Sequence, residues 1–444
     1  MKTSTSLELI LSIALLGTSA TQADWSRFRG PNGSGIASDH MPTPTTWSDT
    51  QNLKWKFSIP GPGSSSPIVM GNKVFVTCWT GYGVDPDDPG NMDDLKRHLL
   101  CIDRQTGKEI WSRSVKAILP EDTFGGMFAQ HGYASHTPVT DGERVYAFFG
   151  KSGVHAFDMQ GNPLWNHLVG SDLDARRWGS ASSPIIAGDA LIVTATIENH
   201  ALVGFNKKSG KKLWEQVAQG LGGTWSTPVL VNADSSPDLV LGVPDEIWAL
   251  NPSNGKLRWY TDGIRGDSIT GSVVTDGGIV YATGSRGGGS IAVKAGGKGK
   301  LTESQVLWEG RDGSRIATPL LHDGRLYWVN SSIVNCRDAK TGEEIYAERI
   351  PGSRSAAGQG EGRRRGGGRF GSTDYASPVA AGNHMYQVTR GGDILVVALG
   401  PKFQFVARNR FASDNSDYSA TPAISKGQLF IRSSRNLYCV AETK

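Results

Sequence analysis

Along most of the chain, apolar and polar positions alternate in short runs broken by Gly, Pro and Asp. From Ser182 the sequence reads SSPIIAGDALIVTAT: hydroxyl residues, a proline, a brief apolar run, a Gly-Asp turn and a longer apolar run. Period-two runs of this length, bounded by turn residues, predict β-strands joined by tight turns. The cadence recurs eight times, at Ser66-Pro67, Thr137-Pro138, Ser183-Pro184, Thr227-Pro228, Gly271-Ser272 (proline lost), Thr318-Pro319, Ser377-Pro378 and Thr421-Pro422. The commonest spacing, about 44 to 47 residues, is that of a four-stranded propeller blade.

Each repeat also carries an aromatic residue in its last strand. These are Trp111, Trp165, Trp214, Trp259 and Trp308, then Tyr346, then Phe403 or Phe405. About ten residues earlier stands a small residue: Cys101, Ala156, Gly204, Ala249, Ala292, Cys336, Ala398, and Cys439 in the last repeat. A large ring lying over a neighbouring strand needs a small side chain beneath it. The pattern therefore predicts a ring staple in every blade, each burying about 150–250 Å² of indole surface.

The eighth repeat ends at NLYCVAETK, one strand short, while LKWKFSI at 53–59 supplies a spare strand with Trp55 at the other end. The expected fold is all-β: an eight-bladed β-propeller of four-stranded blades over 53–444, closed by the N-terminal strand. Closure removes exposed sheet edges. Residues 24–52, containing WSRFRGPNGSG, are expected as an arm lying on the ring surface. Residues 1–23 have the form of an export signal: Lys2, an apolar run from Leu7 to Leu16, and small residues ending at Ala20 or Ala23. The expected location is periplasmic or secreted. No other apolar stretch approaches the roughly 20 residues of a spanning helix. Long spacings after Pro67 and Pro319 mark loop insertions, at 80–98, 118–136 and around the arginine-glycine segment EGRRRGGGRFG.

Charge and cysteines change this picture little. With 46 basic and 42 acidic residues, the surface is nearly balanced and does not suggest a nucleic-acid partner. The arginine-glycine segment fits a solvated loop. The acidic run DPDDPGNMDD lacks the spacing of a calcium hand loop, and no metal site is expected. Of four cysteines, three fall in the small-residue slot, a packing role; a disulfide between Cys78 and Cys101 is left open.

The pattern small-x-[D/N]-x-x-[T/S]-G-[K/E]-x-[L/I]-W, as in CIDRQTGKEIW and GFNKKSGKKLW, resembles the repeat of propellers related to pyrroloquinoline-quinone (PQQ) enzymes. The resemblance spans about residues 53–440. It implies either of two functions. Quinoprotein dehydrogenases of this kind oxidise alcohols or sugars with PQQ and calcium, and noncatalytic scaffolds of the BamB kind act through protein contacts. The adjacent Cys-Cys pair of the alcohol-oxidising members and a C-x-x-C-H haem site are both missing from this sequence.

Residues just before each mark enter the innermost strand, so they should rim the channel. They are His131, Tyr133, His136, Arg177, Trp178, Trp225, Arg265, Asp267, Arg315, Asp374, Tyr375, Asp417 and Tyr418. Aromatic plates beside charged groups suit a ligand pocket. The leading expectation is an exported, monomeric, noncatalytic propeller that binds a protein or other ligand through this rim and the inserted loops, without a cofactor. The alternatives are a quinoprotein-like oxidoreductase using PQQ and calcium, with Trp225 or Trp178 as cofactor floor and Asp267 or Asp374 as base, and a carbohydrate-binding propeller.

Overall fold

A computed structural model describes residues 24–39, 41–233, 236–284, 288–353 and 375–442. The proposed export signal and the arginine-glycine segment around 363–369 lie outside the described residues. The chain forms eight antiparallel sheets. Their innermost strands, Ile68–Met70, Val139–Thr140, Ile185–Ala187, Val229–Val231, Val274–Asp276, Leu320–His322, Val379–Ala381 and Ala423–Ser425, define blades 1 to 8. The molecule is an eight-bladed β-propeller. Blade 4 gains a fifth, parallel strand, Gly299–Lys300, lent by the blade 5 segment.

Closure occurs as the sequence predicts. Leu53–Ser58 pairs antiparallel with Asn436–Val440, and Trp55 stands opposite Cys439. First and last segments thus share one sheet, and the ring has no open blade.

The eight hydroxyl residues of the repeated mark do more than start a strand. The backbone N–H of Ser66 donates to Thr137 Oγ1 at 2.9 Å, Thr137 to Ser183, Ser183 to Thr227, and Thr227 to Ser272. Ser272 then donates to Thr318, Thr318 to Ser377, Ser377 to Thr421, and Thr421 back to Ser66 at 3.1 Å. A closed hydrogen-bonded collar therefore surrounds the channel. Each position needs both a backbone N–H and a side-chain oxygen, which explains Ser or Thr at all eight. At seven of the eight positions the next residue is proline, which brings no N–H to the channel wall; after Ser272 it is Val273.

The outer staples also follow the expected pattern. Trp111 lies opposite Cys101, Trp165 opposite Ala156, Trp214 opposite Gly204, Trp259 opposite Ala249 and Trp308 opposite Ala292. Tyr346 faces Cys336. One residue before each aromatic, the outer strand bulges, so Ile110, Leu164, Leu213 and Leu307 are skipped by the ladder and turned to solvent. A bulge at a sheet edge twists it away from foreign strands. The indole N–H then crosses to the next blade: Trp55 donates to Arg104 O, Trp111 to Met159 O, Trp165 to Lys207 O, Trp214 to Pro252 O and Trp308 to Ala339 O, at 2.8–3.2 Å. Under these rings sit turn glycines such as Gly210 (φ +74), where a Cβ would lie 2.7 Å from Trp165. That contact accounts for the T/S-G-K turn.

Blade 7 differs from the expectation. Its bulge falls between Val396 and Val397, so the staple positions are Val396 and Ala407, not Ala398 with Phe403 or Phe405. With no indole available there, Phe403 instead packs edge-on against Tyr346 of blade 6 at 5.9 Å.

All four cysteines are free and buried. Cys101 faces Phe75 whereas Cys78 faces His98, three positions along the same ladder. An odd offset puts the two thiols on opposite faces of the sheet, which rules out the disulfide.

Residues 24–37 of the arm do not lie on the surface but enter the channel, while residues 43–49 run past blade 7, where Thr45 and Trp47 bond Asn409 of its outer strand. Trp25 O accepts from Val69 N, Ser26 O from Thr140 N, and the Asn32 amide pairs both ways with Leu230. Ala380 N donates to Gly35 O, and Ala37 N to Ala380 O. In this way the arm satisfies innermost-strand edges in blades 1, 2, 4 and 7. Arg27 donates to Pro228 O at 2.7 Å. Arg29, fully buried, donates to the carbonyls of Thr318, Pro319 and Pro378 and to Gly33 and Ser34 of the arm itself. Burial pushes its guanidinium down to about 9, so it remains cationic at neutral pH.

Candidate functional site

Plugged by the arm at one end, the channel becomes a pocket open at the other. Its volume is about 210 Å³. The collar hydroxyls form its waist, Phe28 of the arm reaches it from the closed end, and His131, Trp178, Trp225, Arg315 and Tyr375 stand around the mouth. Trp178 and Trp225 form a tilted pair with centroids 5.2 Å apart. Trp225 Nε1 donates to Gly179 O at 2.6 Å, which ties its ring to the loop that carries Trp178. That loop is shaped locally. Asp174 accepts from the N–H groups of Trp178 and Gly179, and Gly179 (φ +74) lies where a Cβ would be 2.6 Å from Phe128.

His131 comes from the second insertion, which packs against the first. Trp79, Tyr82, Phe124, Phe128 and Tyr133 form the shared aromatic cluster, with Phe128 and Tyr133 4.6 Å apart. His131 Nδ1 is 2.9 Å from Ser135 Oγ. Burial pushes His131 down to about 4, so at neutral pH it is an uncharged imidazole that both donates and accepts. Arg390 covers the Tyr375 ring at 5.2 Å and pairs with Asp417 at 3.0 Å, extending the rim outward.

The structure brings together five of the residues expected at the rim, Asp417 adjoins them through Arg390, and most of the other described ones lie elsewhere. Tyr133 is drawn into the insertion cluster, where its hydroxyl donates to Asp122 O. His136 is buried beside Phe148 with centroids 4.5 Å apart. Tyr418 is fully buried in the core of blades 7, 8 and 1. In all three, an aromatic body finds an apolar wall behind the rim. Arg177 and Arg265 are exposed, and Asp267, with its side chain 65% exposed, is not in the pocket lining but lies 3.7 Å from Arg176, whose guanidinium covers the Trp178 ring at 5.7 Å. Asp374 lies outside the described residues. Sequence reasoning missed Phe28, which it assigned to a surface arm, and the hydroxyl collar, which it read as strand starts.

A calcium-bound quinone needs oxygen donors such as carboxylates, and its chemistry needs a base beside the substrate carbon. Among the described residues lining the pocket there is no Asp, Glu or Asn. Nor do the described residues contain a group of three or more His, Cys, Asp or Glu placed to hold a metal ion. The indole pair would serve as a floor, but the described lining does not fit the calcium–quinone pair.

Behind His136 lies a second, smaller cavity of about 30 Å³. It is bordered by the buried Arg97–Glu121 ion pair (2.7 Å) and by Glu198. Burial raises the Glu198 carboxyl to about 7. Because its folded value lies above its unfolded one, the native state resists ionisation there. Stability should fall as pH rises from about 4.5 to about 7, by up to ~3 kcal/mol from this group. Glu198→Gln should remove that slope, as urea midpoints at pH 5 and pH 8 would reveal.

The fold and pocket define a closed eight-bladed propeller of the PQQ-repeat class. The family described as "Outer membrane protein assembly factor BamB" matches residues 52–226 and 95–348, and the chain belongs to this family. A "Polyvinylalcohol dehydrogenase" of Pseudomonas sp is 21% identical over 413 residues, 83% of this chain and 56% of that protein, so the chain spans about half its length. Among solved structures, BamB from Moraxella catarrhalis aligns at TM-score 0.58 and 12% identity, over 87% of this chain and 99% of that one. A europium-containing methanol dehydrogenase aligns at TM-score 0.65 and 11% identity, over 95% and 98%. At such identities the structural likeness shows the fold alone. Among the described residues no helix is long and apolar enough to cross a membrane.

Proposed function

We propose that this protein is an exported, noncatalytic binding propeller that takes a small ligand bearing a flat ring into the blind channel pocket. The supporting observation is the Trp178–Trp225 pair set over a hydroxyl-lined pocket that Phe28 closes, with no carboxylate among its described lining residues. Flat apolar faces beside a few polar anchors are what ring recognition uses. The ring is an aromatic group or a sugar presenting its apolar C–H face, and Arg315 offers it a cationic anchor. The insertions at 80–98 and 118–136 widen the same face and suit a protein partner bearing that ring.

Glycan-array and aromatic-metabolite screens, read by tryptophan fluorescence, test this reading. For any ligand found, Trp225→Ala should weaken binding about tenfold, the value of one ring contact, while the melting curve keeps its shape. Saturable binding that ignores this substitution would place the ligand elsewhere.

The similarity to a polyvinylalcohol dehydrogenase favours a second reading, a quinoprotein-like oxidoreductase. Titration with PQQ and calcium, followed by cofactor absorbance and alcohol or sugar oxidation, decides between the two. Turnover would reverse the ranking.

A further inference from the structure

Each collar hydroxyl uses one lone pair on its neighbour, because its oxygen accepts the backbone N–H of the blade before it. Its own proton finds no acceptor among the described residues. The eight residues are at most 4% exposed, and all of them line the channel pocket. Buried donors are almost always paired, so these protons are left for whatever enters the channel. The waist is a ring of O–H donors.

The charges around the waist have the same sense. Arg29 lies beneath it, bonded to the carbonyls of Thr318 and Pro319 in blade 6 and of Pro378 in blade 7, and no acid pairs with it among the described residues. Arg27 lies beneath blade 4, donating to Pro228 O, and its Nε has no partner. Arg315, exposed at the mouth, stands three residues before Thr318. Two of these three cations, Arg29 below and Arg315 above, thus bracket the sector of blades 6 and 7. The described pocket lining holds no carboxylate to compete. A cation entering here would meet hydroxyl protons and guanidinium charge, whereas an oxyanion would meet partners of the right sign and strong charge-assisted hydrogen bonds.

We propose that this sector of the waist, at the Thr318 and Ser377 hydroxyls, is a binding site for a small oxyanion: a carboxylate, sulfate or phosphate group. The group is the acidic end of the ring ligand or a free inorganic anion. In the first case the ligand is an aryl acid or an acidic sugar that spans the pocket, with its acid on blades 6 and 7 and its ring against the indoles of blades 3 and 4. That placement of the ring rests on the pocket reading above; the anion site does not.

The test uses the full chain. Selenate, a sulfate analogue with an anomalous X-ray signal, is soaked into native crystals, and its peak should lie in the waist within hydrogen-bonding reach of Thr318 and Ser377. In solution, sulfate is titrated calorimetrically at constant ionic strength. Thr318→Val should weaken it about tenfold, the low end for a hydrogen bond to a charged group. Thr137→Val is the matched control, because it removes a collar hydroxyl with the same structural bond on blade 2, away from Arg29 and Arg315. Sulfate affinity should change there by less than about twofold. Equal losses in the two variants, or no selenate at the waist, overturn the proposal, and the native crystals decide even if a valine variant fails to fold. Benzoate and its neutral counterpart benzyl alcohol then separate the sources. Benzoate bound about tenfold more tightly than benzyl alcohol, and displaced by sulfate, makes the anion the acidic end of the ring ligand. Sulfate bound at the waist while neither aromatic binds makes it a free inorganic anion; the ring reading then fails and the anion site stands.

Discussion

Trp259→Ala is expected to lower stability by about 5 kcal/mol, the upper end for a core aromatic, whereas Trp214→Ala should cost about 3–4 kcal/mol. The two rings occupy the same slot in successive blades but differ in what they leave behind. Trp214 is 8% exposed and its indole donates to a backbone carbonyl of blade 4. Trp259 is fully buried, and its Nε1 donates at 2.7 Å to Asp238, a carboxylate inside its own blade that also pairs with Arg258 at 2.5 Å. Truncating Trp259 opens a cavity and also strips a buried charge of one of its two partners, a loss dearer than that of a neutral bond. Urea midpoints at constant slope would measure the difference. Equal losses for the two variants would mean that Asp238 has no share in the cost. Trp259→Phe, which restores most of the volume but not the N–H, should recover only part of the loss.

The features that could be read from the sequence are those that the ring forces to repeat. A tryptophan opposite a small residue, and a hydroxyl before each inner strand, recur because every blade meets its neighbour in the same way. Blade 7 shows the limit. Its outer strand offers Phe403 and Phe405 within three residues, and only the bulge after Val396 decides which positions face each other. A register shift of this kind leaves no mark in residue type. The pocket was half legible for a related reason. Residues before each mark do reach the rim, but whether a side chain turns toward the channel or behind it depends on the nearest apolar wall. The insertion cluster supplies that wall for Tyr133, and the core of blades 7, 8 and 1 supplies it for Tyr418. Neither wall is local in sequence. The arm was the least legible part, because WSRFRG occurs once and its partners in the ring lie from 44 residues away (Trp25 to Val69) to 349 (Arg29 to Pro378).

Arg29→Met should release that arm while leaving the ring assembled. Methionine keeps much of the side-chain volume, so the change isolates the hydrogen bonds. The guanidinium reaches the carbonyls of Thr318, Pro319 and Pro378, which blades 6 and 7 present to the channel axis. Hydrogen bonds from a charged donor contribute about 1.5–3 kcal/mol each, and the desolvation of an arginine without a carboxylate partner offsets part of that sum. A net loss of about 4 kcal/mol remains, roughly a thousandfold in the docking equilibrium of residues 24–37. Ring closure is a separate matter, because Leu53–Ser58 stays paired with Asn436–Val440 whether or not the arm is seated. Trypsin should therefore cut after Arg27 quickly in Arg29→Met and slowly in the native protein, while the main melting transition moves little. A large fall in the main transition would mean that the arm is part of the cooperative ring rather than a plug docked into it. Release also takes Phe28 out of the pocket, so a ligand held at the Trp178–Trp225 pair would lose its floor and the channel would run through from face to face.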